Sequence, residues 1–220
     1  MNPVNTIASC IALSTAAFAH AAVVTQWNFE AQNLNPSTGT GTASLVGGTT
    51  STFATGFGGT GTFALNTTNY AAQGSENKQR GVQFLAATTG YENITITWNE
   101  RHSNTSANTV SVQVTTDGTN WSEVQLFTFT PAATGTGDTW YSRSVTLSSA
   151  VANNAAFGFR VLAAFDPTTG TYLASRSTST YGTSSTLRFD DVTISGDLIP
   201  APGAVALLGV AGLIGSRRRR

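Results

Sequence analysis

The feature that most constrains this chain is a period-two alternation of apolar and polar side chains, repeated in short runs through its middle. Trp27 and Phe29 alternate with Gln26, Asn28 and Glu30, and Val82, Phe84 and Ala86 with Gln83. Ile94, Ile96 and Trp98 share one face, while Asn93, Thr95, Thr97, Asn99 and Arg101 share the other. Val110, Val112 and Val114 oppose Ser111, Gln113 and Thr115; Phe157, Phe159 and Val161 oppose Gly158 and Arg160. Successive side chains of a strand point to opposite faces, so each run reads as a half-buried strand. No stretch carries a 3.6-residue apolar period. Composition agrees: 58 of the 220 residues are Ser or Thr, against five Glu and one Lys, so the straight-chain residues that helices need are scarce. A helical bundle, a Rossmann-type enzyme and a coiled coil are disfavoured. About nine to eleven short strands are predicted, hence an all-β fold, an antiparallel β-sandwich of jelly-roll (galactose-binding-like) type.

Local breaks sharpen this reading. Leu187 and Phe189 continue to Val192 and Ile194 only after a one-residue slip at Asp190-Asp191, which reads as a β-bulge. Asp117-Gly118 lies between two alternating runs and signals a hairpin turn. Residues 37–62 are rich in Gly, Thr and Ser and read as short edge strands or loops. Residues 166–186 form a long loop of the kind that often carries function.

Charge and cysteine exclude several function classes. The formal net charge is zero, but without the terminal Arg217–Arg220 the chain holds seven basic against eleven acidic groups, about −4. That balance lacks the basic footprint nucleic acid requires. The only cysteine is Cys10, and the histidines are His20 and His102, so thiolate sites and zinc enzymes are excluded for the body. His102 sits in Arg101-His102-Ser103-Asn104 and reads as a solvated loop residue; no Gly-x-Ser-x-Gly elbow accompanies it. Glu92 and Glu100, if on one strand, are roughly 26 Å apart. Glycoside hydrolysis needs its two carboxylates within about 10 Å. A non-catalytic protein is the reading. The alternatives are a secreted glycan-active hydrolase using acids such as Glu100, Glu123 or Asp138, and a purely structural envelope protein.

Both ends read as addresses. Residues 7–19 form a short apolar core followed by Ala19-His20-Ala21, a small-x-small site for signal peptidase, with cleavage expected after Ala21. At the other end, Ile199-Pro200-Ala201-Pro202-Gly203 leads into apolar Ala204–Gly215 and then four arginines. At about 1.5 Å per residue the apolar part is a short transmembrane segment whose arginines stay cytoplasmic. The expected division is a signal peptide (1–21), a sandwich domain (22–197) and a sorting tail (198–220).

The tail resembles the PEP-CTERM sorting signal of Gram-negative bacteria, departing from it at Ala201, where that family's motif has Glu. The resemblance implies transient inner-membrane insertion, processing at Pro200-Ala201-Pro202 by an exosortase-like membrane protease, and delivery to the outer surface or extracellular matrix. Separately, Trp27-Asn28-Phe29-Glu30 and Phe189-Asp190-Asp191-Val192-Thr193-Ile194 are similar to the end strands of jelly-roll carbohydrate-binding modules. That resemblance implies a structural Ca2+ held by Glu30 and Asp190, with Asp191 as a further candidate.

Among residues opposite the core, Gln83, Thr95, Thr97, Asn99, Arg101, Gln113 and Arg160 match the donors and acceptors of a saccharide. Trp140, Tyr141, Tyr172 and Tyr181 are candidate stacking platforms. Glycan binding within an exopolysaccharide is the expected specific activity.

Overall fold

A computed structural model describes residues 21–129 and 139–200. Among them eleven strands form: β1 (Ala22–Trp27), β2 (Thr42–Val46), β3 (Thr50–Gly56), β4 (Gly59–Thr68), β5 (Gly81–Leu85), β6 (Tyr91–His102), β7 (Thr109–Thr115), β8 (Ser122–Thr128), β9 (Trp140–Thr146), β10 (Gly158–Ala163) and β11 (Leu187–Leu198). Two antiparallel sheets result. One runs β3-β4-β11-β6-β9, with β1 also paired to β11; the other runs β2-β5-β10-β7-β8. The alternating runs bury their apolar faces between these sheets, as a two-layer sandwich requires. At the centre Trp27 packs on Phe84 (centroids 5.0 Å apart), Phe84 stacks on Phe159 (5.0 Å), and Trp98 closes on Phe159 (6.3 Å).

Strand β11 organises the six-stranded sheet. Along one edge it pairs with β6. Along the other, Leu187–Phe189 pair with β4, and Val192–Gly196 pair with β1. The bulge lies where the neighbour changes: the register shifts between Asp190 and Thr193, and Asp191 adopts φ 48°. Asp tolerates this left-handed conformation better than most residues, which accounts for its place at the slip. The first and last strands are thereby paired. Asp117-Gly118 forms the β7–β8 turn, with Gly118 at φ 76°. Residues 37–62 supply β2 and β3, each at the edge of its sheet.

Two expectations need correction. His102 is not a solvated loop residue: it ends β6 on the core side and is fully buried. Glu100 and His102 extend the inward face set by Ile94, Ile96 and Trp98, so the strand outlasts its apolar pattern. The polar face of β7 is also covered: Ser111, Gln113 and Thr115 are buried beside the apolar positions. A Lys78–Glu123 ion pair (2.8 Å) and a Glu123 bond from Ser111 cover this surface.

Candidate functional site

Register decides which polar residues meet. The sugar-matching set lies opposite the core, but on two different sheets. Gln83, Gln113 and Arg160 face outward from the five-stranded sheet; Thr95, Thr97, Asn99 and Arg101 face outward from the other. They form two polar patches on opposite sides of the sandwich.

On the five-stranded sheet, pairing places Ser44, Gln83, Arg160, Gln113 and Glu123 in one row crossing all five strands. Arg160 is central. Its Nε donates to Gln113 Oε1 (2.8 Å), and its guanidinium lies over Trp121, 4.4 Å from the ring centroid. Partial burial holds the Arg160 pKa below its usual value. Glu123 closes the row; burial would raise its pKa, but bonds from Lys78 and Ser111 hold it down. Hydroxyl, amides, guanidinium and carboxylate in a line, beside a half-buried indole, combine hydrogen-bonding groups with a flat apolar surface, the pairing that sugar recognition uses. Trp121 is absent from the sequence-derived candidates. It stands one residue before β8, and only the register between β7, β8 and β10 brings it over Arg160.

The other candidate aromatics have different surroundings. Tyr172 is buried, stacked on Tyr181 (4.4 Å), and its hydroxyl donates to the Glu76 carbonyl. The Tyr181 hydroxyl donates to Ala71. Burial raises both phenol pKa values, that of Tyr172 to about 12. The pair pins the 166–186 loop, and a buried Tyr172 offers no ring to a sugar. Tyr141 turns inward, stacked on Phe129 (5.1 Å) and edge-on to His102 (5.9 Å). Trp140 lies outward on β9, opposite Arg101, with Phe57 against its ring (5.9 Å).

Glu92 and Glu100 share β6, and Glu100 is buried at the core's polar end. Arg143 Nε donates to Glu100 Oε2 (3.2 Å), and His102 Nε2 lies 3.5 Å from the same oxygen. His102 Nδ1 lies 2.8 Å from the Ala107 carbonyl, which only accepts, so Nδ1 carries the proton. Burial alone would raise the Glu100 pKa; His102 and Arg143 outweigh it and hold it below its ordinary value. The Arg143 guanidinium also lies over Phe127 (4.7 Å) and Tyr141 (5.0 Å). Glu100 and Glu123 are on different layers, one inside the core and one outside the five-stranded sheet. Asp138, the third acid considered for hydrolysis, lies outside the described residues.

The bulge gathers the acids of the calcium reading. Asp190 Oδ2 accepts from the Phe57 amide (2.7 Å) and Oδ1 from the Asp191 amide (2.8 Å). Glu30 Oε1 accepts from Phe63 (3.3 Å), and Asp191 Oδ2 from Asn99 (3.3 Å). Burial, with help from the charges of Asp191 and Glu30, pushes the Asp190 pKa up to about 6. Of the three, Asp190 is the one that feels both other carboxylates. No group of three or more His, Cys, Asp or Glu stands ready as a metal cluster among the described residues.

Ala21 and Pro200 are the first and last described residues of the chain. The signal-peptide core, Ala201, Pro202, the apolar stretch Ala204–Gly215 and the arginines lie outside them. No helix among the described residues is long and apolar enough to cross a membrane.

No protein-family model matches the sequence, and no curated protein matches it. Solved structures do match in shape. The CBM22-1–GH10 modules of endo-1,4-beta-D-xylanase 10B from Clostridium thermocellum, complexed with xylohexaose, align with a TM-score of 0.50 at 16% identity, over 79% of this chain and 28% of that one. The CBM22-1–CBM22-2 tandem domain of Xyn10C from Paenibacillus barcinonensis aligns with a TM-score of 0.50 at 13% identity, over 86% of this chain and 48% of that one. The chain therefore spans about a quarter to a half of these two solved chains. At such identities the likeness establishes the fold: an antiparallel two-sheet sandwich shared with CBM22 modules.

Proposed function

We propose that this protein is an exported, non-catalytic glycan-binding protein, and that its sugar site is the outer face of the five-stranded sheet. The observation that carries this reading is the cross-strand row Ser44, Gln83, Arg160 and Glu123, with buried Gln113 holding Arg160 in place and Trp121 against its guanidinium. Side chains paired across strands are held at fixed spacing, so the row offers a preorganised line of donors and acceptors. The shared fold with modules solved with xylohexaose supports a polysaccharide as the ligand class. An exopolysaccharide at the cell surface or in the extracellular matrix is the proposed partner.

The delivery route rests on the sequence. Signal peptidase would act after Ala21, and an exosortase-like protease at Pro200-Ala201-Pro202, after transient insertion of the apolar tail. Intact-mass measurement of the extracellular protein tests both cleavages at once.

A structural Ca2+ would sit at the bulge, held by carboxylate oxygens of Glu30, Asp190 and Asp191, donors that a hard cation takes. The ion would supply positive charge beside Asp190, whose pKa burial and its acidic neighbours push up.

The binding claim is tested by affinity electrophoresis through gels containing neutral and acidic polysaccharides. Wild-type protein is expected to be retarded by at least one neutral polysaccharide, and Trp121→Ala to be retarded markedly less in that gel, with an unchanged melting temperature. Equal retardation of both proteins in every neutral gel would overturn the reading.

A further inference from the structure

The outer face of the six-stranded sheet has its own cross-strand row. Thr52 on β3, Asn66 on β4, Arg188 on β11, Arg101 on β6 and Trp140 on β9 stand opposite one another in sequence. Two arginines directly opposite across a ladder are an uncommon choice, because like charges there are destabilising. The pair is nonetheless firmly placed. Arg188 Nε donates to Asn66 Oδ1 (3.1 Å) and its Nη1 to the Thr55 carbonyl (2.9 Å). Asn66 in turn donates to Thr52 (3.1 Å). Arg101 stands beside Arg188 and has a further interaction of its own. Asp190, two residues along β11, has both oxygens taken by backbone amides of Phe57 and Asp191. The β3–β4 turn brings exposed Phe57 edge-on against Trp140, setting two aromatic rings beside the guanidinium pair.

We propose that this face is a second binding site, taking an acidic polysaccharide, in which Arg188 and Arg101 receive a carboxylate or sulfate and Trp140 with Phe57 pack against the sugar ring. Guanidinium groups match such anions through paired N–H donors, and two side by side answer one acid group or two neighbouring ones along a polymer. Without the terminal Arg217–Arg220 the net charge is about −4, so attraction of a polyanion to the sandwich itself needs a local cation pair. An Arg101→Gln/Arg188→Gln variant separates that pair from the arginine run of the full-length chain. The site uses none of the residues of the five-stranded face. With one face on each side of the sandwich, a single domain would hold two polymer chains and cross-link a matrix.

The experiment uses the full-length chain, purified in mild detergent, and affinity electrophoresis in alginate, dextran sulfate, neutral xylan and single-stranded DNA, at low and high salt. Wild-type protein is expected to be retarded by alginate, dextran sulfate or both, with retardation falling as salt rises. Arg101→Gln/Arg188→Gln is expected to lose at least tenfold in affinity for the acidic polymer, and Arg188→Lys a smaller part. Melting temperature and behaviour in neutral xylan report on the fold and the other face and should not change. Trp121→Ala should keep its acidic-polymer affinity, which separates failure of this site from failure of the first. The proposal is overturned if no acidic polysaccharide retards the wild type, if the double variant binds it unchanged, or if DNA is held as tightly as the polysaccharide.

Discussion

Trp121 and Arg160 form a stacked pair 4.4 Å apart, joining the start of β8 to the middle of β10 across the face of β7. Neither residue contributes to the core, so the pair is a surface arrangement that register alone creates. Arg160 lies over one face of the indole; in the proposed function a sugar ring lies on the other. Trp121→Ala should therefore weaken polysaccharide binding about tenfold, near 1.4 kcal/mol, as truncation of an aromatic anchor does. Titration calorimetry with a retarding polysaccharide checks this, and thermal melting checks that the fold is intact.

Tyr172 serves the loop and not the ligand. Tyr172→Ala removes a buried ring stacked on Tyr181 and should cost roughly 3–5 kcal/mol of stability, as large-to-small core changes do. Affinity per folded molecule should stay the same. Denaturant unfolding with binding measured at low temperature separates the two effects.

The Glu100, Arg143 and His102 group predicts a pH dependence. The Glu100 pKa is depressed in the folded state, so its contribution to stability is present above the ordinary value of 4.5 and is lost as pH falls through the folded value. Glu100→Gln leaves the partly buried Arg143 without its counter-charge and should cost about 3 kcal/mol at neutral pH. The difference between wild type and variant should shrink on acidification. Urea midpoints from pH 7 to pH 3 provide the measurement; a difference independent of pH would contradict this account of the group.

Calcium should act through the bulge. Adding Ca2+ to chelator-treated protein is expected to raise the melting temperature by several degrees, and Asp190→Asn should abolish the response. An equal response in wild type and variant would place any bound ion elsewhere.

Much of the fold was legible because the core residues obey a strict period. Ile94, Ile96 and Trp98 announce the inner face of β6, and the slip at Asp190-Asp191 announces the bulge where β11 changes neighbour. His102 was misread because polar residues at inward positions look like the end of a strand; the Ala107 carbonyl on Nδ1 and the Arg143-paired Glu100 beside Nε2 make its burial tolerable. The site was less legible for a different reason. Phase along one strand tells which residues point outward, not which sheet they belong to, so Gln113 and Asn99 look equivalent in sequence but lie on opposite sides of the body. Trp121 needed the β7–β8 register, which no local pattern encodes.

The most direct test uses the protein's own fluorescence. Of its four tryptophans, Trp27 and Trp98 are buried, leaving Trp121 on the five-stranded face and Trp140 on the other. Titrating a neutral polysaccharide is expected to shift the emission of wild type and Trp140→Phe alike, and to leave Trp121→Phe silent. A shift that survives in Trp121→Phe would contradict the placement of the glycan site.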